Sequence, residues 1–256
     1  MTSRILAYHS IGSEGSGEVG SELYCVREDE FRAQMRVVAM LRGTLKCGSI
    51  PTGDVGRGTY VLRPTSKWVQ QRNVLRNVLT ITFDDGLLNN YTTAYPILRE
   101  YGLTAYFFIL VGKVGKNGYM SWEQIKELRK AGMTIGSHGI THRILTGMSA
   151  KDLDYELEDS KKVLEKNLDC EIDCLSIPRG FCSKRIIDKA KKIGYKTIFT
   201  SRNRIPVKAN WSVKKFEDVL NNGHSLRDKG VELLKTASKK ILGPCGYDKL
   251  RTKILT

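Results

Sequence analysis

Several features that would place a chain quickly are missing from this sequence of 256 residues. Its amino terminus, Met1 to His9, lacks the long apolar core of a signal peptide. No apolar run approaches the roughly twenty residues that a membrane-spanning helix needs. The six cysteines (Cys25, Cys47, Cys170, Cys174, Cys182 and Cys245) form no CxxC pair. Without an export signal they read as reduced thiols of a cytosolic protein. Cys170, Cys174 and Cys182 could ligate a metal, but their spacing and the absence of a nearby histidine argue against it. There is no internal repeat, no low-complexity tract and no carbohydrate-binding module. An RNP-like aromatic motif, zinc-finger spacing and a helix-turn-helix signature are also absent, so nucleic-acid binding would rest on charge alone.

Charge is plentiful. The formal net charge is +15, and it is spread unevenly. Arg179 to Lys215 holds twelve Lys/Arg against one Asp, while Ser149 to Cys174 holds nine acids against four bases. A basic half beside an acidic helix favours an anionic partner: a phosphate-bearing substrate, a membrane surface or nucleic acid. The plain alternative is a solvated basic surface that keeps the protein in solution. Hydrophobic content of 41% and charged content of 27% are those of a globular protein, and the length suits one large α/β domain.

Short apolar runs alternate with amphipathic segments, the βαβ rhythm of a mostly parallel sheet or barrel. Strands are expected at Ile5–Tyr8, Val78–Phe83, Thr104–Ile109, Thr134–Gly136, Cys174–Ile177 and Thr197–Phe199, and helices at about 28–41, 89–101, 122–131, 150–167, 184–193 and 213–221. Ser121 and Gln124 fit a capping box ahead of Trp122, Ile125 and Leu128. Leu153, Leu157, Leu164 and Leu168 mark a core face, with Asp154, Glu158 and Lys161 assigned to the solvated side. Residues 42–73, rich in glycine, interrupt the rhythm and read as a lid or irregular excursion. From Ser225 the chain carries eight bases and three acids around Val231, Leu234, Ile241, Leu250 and Ile254, divided by Gly243-Pro244-Cys245-Gly246. This tail reads as basic amphipathic helices packed on the domain or on an anionic membrane face. The expected organisation is a domain over 1–224 and a tail over 225–256.

The chemistry concentrates in two places. Thr82-Phe83-Asp84-Asp85-Gly86 closes the apolar run Val78-Leu79-Thr80-Ile81, and adjacent carboxylates at the end of a buried strand repel one another and resist desolvation. A bound cation relieves both. Ser137-His138-Gly139-Ile140-Thr141-His142 supplies two imidazoles after another apolar segment, with a glycine that lets the chain curl. Imidazole and carboxylate together suit Zn²⁺ or a similar divalent transition metal. One Asp can ligate while the other acts as base toward a metal-activated water. The acid pair and histidine pair together point to a metal-dependent hydrolase.

Those two segments resemble the first two motifs of the polysaccharide deacetylase family, the NodB-homology carbohydrate esterases. The start Ile5-Leu6-Ala7-Tyr8-His9-Ser10-Ile11 is similar to the branch that opens with a tyrosine–histidine strand. The resemblance covers roughly residues 4 to 205. It implies an α/β fold, a distorted (β/α) barrel with fewer than eight regular repeats and an active site at the carboxyl ends of its strands. It also implies Asp84 as general base, Asp85, His138 and His142 as ligands of a metal (Zn²⁺, or Co²⁺ or Ni²⁺), and hydrolysis of an N-acetyl group from an amino sugar.

Later motifs depart from the family. Where many members have Arg-x-Pro-Tyr-Gly, this chain has Ser176-Ile177-Pro178-Arg179-Gly180. Ser176 replaces the arginine that orients the base, and Arg179 replaces the tyrosine whose backbone N–H meets the oxyanion. The Arg179 guanidinium could also bind a substrate phosphate or carboxylate. No Asp and Trp of a fourth motif stand around Thr200-Ser201-Arg202-Asn203-Arg204, and the late Leu-x-x-His that supplies a general acid is missing. His224 is off-pattern and reads as a surface residue, so His9, at a strand end facing the same mouth, is the candidate acid. The expected substrate is an N-acetylated glycan or a lipid- or nucleotide-linked precursor in surface-glycan biosynthesis, reached from the cytoplasm or the inner membrane face. Two rivals stand beside this: a metal-retaining member that binds glycan without turnover, and a deformylase of a lipid-linked amino sugar.

Overall fold

The computed structural model describes residues 4–12, 24–42, 79–201 and 204–206. The glycine-rich excursion beyond Arg42, the helix expected at 213–221, His224 and the basic tail lie outside the described residues. Nine strands are described: β1 Arg4–Tyr8, β2 Ser10–Ile11, β3 Cys25–Val26, β4 Leu79–Phe83, β5 Tyr106–Ile109, β6 Thr134–Ser137, β7 Cys174–Ser176, β8 Thr197–Phe199 and β9 Ile205–Pro206. Seven of them form one sheet in the order β8-β7-β6-β5-β4-β1-β9, with every pairing parallel. β2 and β3 pair separately. The helices are α1 Glu28–Arg42, α2 Tyr95–Glu100, α3 Trp122–Lys130, α4 Ala150–Asp154, α5 Ser160–Leu168 and α6 Lys184–Ile193. The sheet curls into a half-barrel, as the distorted-barrel expectation required.

The sheet's two faces follow from strict alternation. On β5, Phe107 and Ile109 point into a large core shared with the helices, while Tyr106 and Phe108 point the other way. On the helix side Tyr8, Phe83 and Phe107 stack in a row across β1, β4 and β5, at 5.5 and 4.9 Å between ring centroids, and Phe31 of α1 meets Tyr8 edge-on. The Tyr8 hydroxyl donates to Gln34 Oε1 at 2.8 Å, so the polar end of a buried ring is satisfied. The concave side is smaller: Ile5, Phe108, Cys174 and Phe199 fill it. Gly136 of β6 is required there. A Cβ on it would sit 2.6 Å from the Phe108 ring and 2.9 Å from the Cys174 carbonyl oxygen. Gly136→Ala should therefore destabilise by about 1–3 kcal/mol through overpacking, read as a lower urea midpoint at unchanged m.

Local signals behave largely as the sequence reads. Ser121 caps α3 with the full reciprocal box, and α6 ends on Gly194 in the left-handed conformation. The segment after Ser149 differs in two ways. It is not one regular helix: between α4 and α5 the chain widens to π-helical hydrogen bonding over Tyr155–Asp159. Lys161 is also buried rather than solvated. It falls between Leu157 and Leu164 on the apolar face, and its ammonium reaches the Ile172 carbonyl and Glu165 Oε1, the latter at 2.8 Å. A long stem lets such a side chain cover apolar surface and still satisfy its charge.

Candidate active site

Register sets the site. Tyr8 pairs with Phe83, Ile109 with Ser137, and Ser176 with Phe199. The residue after each of three strands continues the ladder: Asp84 N–H donates to the Tyr8 carbonyl, His138 N–H to Ile109 and Ile177 N–H to Phe199, at 2.9 to 3.0 Å. Asp84, His138 and the turn after β7 therefore leave the sheet at one level, the carboxyl edge.

Asp85, His138 and His142 converge as expected. Their ligand atoms all lie within 4.8 Å of one another, the one such His/Cys/Asp/Glu grouping among the described residues. His138 Nε2 and His142 Nε2 are 3.5 and 3.3 Å from Asp85 Oδ1, an oxygen that is buried and accepts no hydrogen bond among the described residues. His138 Nδ1 lies 2.9 Å from the Ser176 carbonyl oxygen. A carbonyl only accepts, so Nδ1 carries the proton and Nε2 turns its lone pair into the site. Burial pushes the His138 pKa down, against the pull of Asp84 and Asp85, and favours the neutral imidazole that ligates metal. An orphaned buried carboxylate oxygen faced by two imidazole nitrogens fits a divalent cation.

Asp84 is buried beside this trio, and its partner is a residue that the motifs did not indicate. Arg204, just before β9, grips it in a two-pronged pair: NH1 to Oδ2 at 2.7 Å and NH2 to Oδ1 at 2.9 Å. Both side chains are less than a tenth exposed. Arg204 NH1 also donates to Ser176 Oγ at 2.7 Å, NH2 donates to Thr82 Oγ1, and Ser176 Oγ lies 3.3 Å from Asp84 Oδ2. The guanidinium rests on the Phe108 and Phe199 rings at 5.5 and 5.7 Å. Burial alone would raise the Asp84 pKa; Arg204, with His138, overrides it and holds the carboxyl well below the usual carboxylate range. Ser176 thus stands where the family arginine is expected, and an arginine from the far end of the sheet reaches the same carboxylate. The sequence held one usable signal: a buried base without its motif arginine still needs a cation from elsewhere. Nothing local separated Arg204 from the other bases of 179–215.

His9 follows β1 at the same edge. Its ring packs on Tyr24 at 5.1 Å between centroids, and its Nδ1 is buried with no hydrogen-bond partner among the described residues. Burial lowers its pKa, and Asp85 and Asp84 pull it back up, which places the imidazole within their electrostatic reach. Arg179 sits in the turn Pro178–Gly180 after β7, exposed, with φ of 59°. Among the described residues four non-glycine positions have positive φ, and three of them are Asp85, His142 and Arg179.

The model of the family described as polysaccharide deacetylase matches residues 71–198. The chain belongs to the polysaccharide deacetylase family. YxkH of Bacillus subtilis, which carries a polysaccharide deacetylase name, is 31% identical over 75% of this chain and 61% of its own length. The peptidoglycan-N-acetylglucosamine deacetylase of Bacillus cereus is 30% identical over 63% of this chain and 73% of its own. The chain thus spans under two thirds of YxkH. Among solved structures, the Streptococcus pyogenes deacetylase PplD in complex with acetate superposes with a TM-score of 0.61 at 22% identity, over 85% of this chain and 97% of that one. The polysaccharide deacetylase BC0361 of Bacillus cereus gives 0.66 at 21% identity, over 86% and 69%. At that identity the likeness is one of fold.

Proposed function

We propose that this polysaccharide deacetylase family member is a metal-dependent hydrolase that removes the N-acetyl group from an amino sugar in a glycan. The observation that carries the reading is the pairing of two different carboxylates: Asp85, whose buried Oδ1 faces two imidazoles and accepts no hydrogen bond among the described residues, and Asp84, held ionised by Arg204. Asp85, His138 and His142 would hold Zn²⁺, Co²⁺ or Ni²⁺. When bound, such an ion polarises the acetyl carbonyl and brings the pKa of a water toward neutrality. Asp84, whose direction Arg204 fixes, would accept the proton of a water held there. The Arg179 backbone N–H, at the end of β7, donates to the carbonyl oxygen as charge builds there. The leaving amine takes its proton from His9 or from Asp84. The exposed Arg179 guanidinium is available to a carboxylate or phosphate on the sugar.

Arg204 favours this reading over a glycan binder without turnover, because a mere ligand site has no need of a second carboxylate braced by a buried guanidinium. A relative named for peptidoglycan-N-acetylglucosamine and others named for poly-β-1,6-N-acetyl-D-glucosamine support an N-acetylhexosamine polymer as substrate. A lipid- or nucleotide-linked precursor handled on the cytoplasmic side is the variant that the basic run would favour. The test is acetate release from N-acetylglucosamine oligomers and peptidoglycan fragments. Chelation should abolish it and Zn²⁺ or Co²⁺ restore it, while Asp85→Ala and His138→Ala stay inactive. Full activity of either variant in metal-free buffer would sink the reading.

A further inference from the structure

Glu156 is a carboxylate that the reaction does not use, yet it is only 1% exposed. It lies in the π-helical turn between α4 and α5, where a local widening re-aims side chains. No cation pairs with it among the described residues. Its partners are instead three donors from two successive residues of the ligand loop: Oε2 accepts from Ile140 N at 2.7 Å and Thr141 N at 3.1 Å, and Oε1 accepts from Thr141 Oγ1. These residues lie between His138 and His142. Gly139, at φ of 78°, completes the wrap, since a Cβ there would meet Oε2 at 2.8 Å. A second peg comes one turn later on the same helix. Ser160 Oγ lies 2.8 Å from Ser137 Oγ, which accepts from Gly139 N at 3.1 Å.

Charge-assisted bonds from backbone N–H groups to a carboxylate are among the stronger hydrogen bonds available to a loop. The loop they fix carries His142 in a left-handed conformation, at φ of 62°, that the chain would otherwise leave. We infer that Glu156 is a positioning residue that clamps the 139–142 loop so that His142 Nε2 meets Asp85 and His138 at the cation site. The inference rests on the proposed metal reading.

The test is the affinity of the full chain for Zn²⁺ and Co²⁺, measured against a competing chelator, together with the visible absorption of the Co²⁺ form. Glu156→Ala should weaken binding about 10–100-fold and alter the Co²⁺ spectrum. Glu156→Gln, which keeps an acceptor for the two N–H groups, should stay close to wild type. A role confined to stability would lower the melting temperature of the alanine variant and leave affinity and spectrum unmoved, and that result would overturn the inference. If Glu156→Ala does not fold, Glu156→Asp decides, because its carboxylate falls one methylene short of the loop: loosened metal supports the clamp and unchanged affinity overturns it. A wild-type chain that bound neither ion would overturn the metal reading itself, and this inference with it.

Discussion

Replacing Arg204 by methionine should lower folding stability by about 3–5 kcal/mol, the range for stripping one partner from a buried ion pair, and remove most of the acetate release. Asp84 would be left buried with its main counter-charge gone. The sign of the pH effect follows. In the wild-type protein Asp84 is held below the usual carboxylate range, so the stabilisation is present above about pH 4, the unfolded carboxylate's value, and is lost as pH falls through the folded value. In Arg204→Met burial is no longer offset by the guanidinium and the pKa rises. The acid limb of activity should move to higher pH and the acid unfolding midpoint should rise with it. Urea titrations across pH and a pH–rate profile measure both. Adding Asp84→Asn to Arg204→Met should recover part of the stability and none of the turnover. A variant at position 204 with unchanged stability and an unshifted acid limb would remove Arg204 from this role.

The acid pair should divide under substitution. Asp84→Asn is expected to keep one metal ion per chain and lose about 10²–10⁴ in turnover, the usual contribution of a positioned general base. Asp85→Asn is expected to lose the ion, because it replaces the anionic carboxylate on which both imidazoles converge with a neutral amide. Metal content after gel filtration and acetate release under saturating metal separate the two. Loss of metal in Asp84→Asn with retention in Asp85→Asn would reverse the assignments. Asp84→Asn also leaves Arg204 unneutralised, so its turnover should be measured well below its lowered melting temperature.

What could be read from the chain was what sits close together in it. Asp84-Asp85 and His138-x-x-x-His142 are each local, each ends an apolar run, and parallel pairing brings such ends to one edge. The strands of the main sheet were visible for the same reason, apart from β9, two residues long and ending in proline. Arg204 is not legible because its meaning lies 120 residues away, and in the sequence it is one of twelve bases between Arg179 and Lys215. Glu156 is one of nine acids between Ser149 and Cys174, and nothing in that run marks it as the one that a π-helical turn and a folded-over loop bury. Lys161 reads as solvated in the sequence because a charged head masks how much apolar stem a lysine can bury.

The left-handed backbone at Asp85, His142 and Arg179 has a further consequence. Each such conformation costs a non-glycine residue about 1–3 kcal/mol, and glycine would adopt it without that penalty. Selection for heat resistance alone would therefore reward the loss of the very side chains that gather at the mouth. An aspartate, a histidine and an arginine in these three turns therefore cost the fold stability for what their side chains do, and a lineage released from the proposed reaction should decay there first.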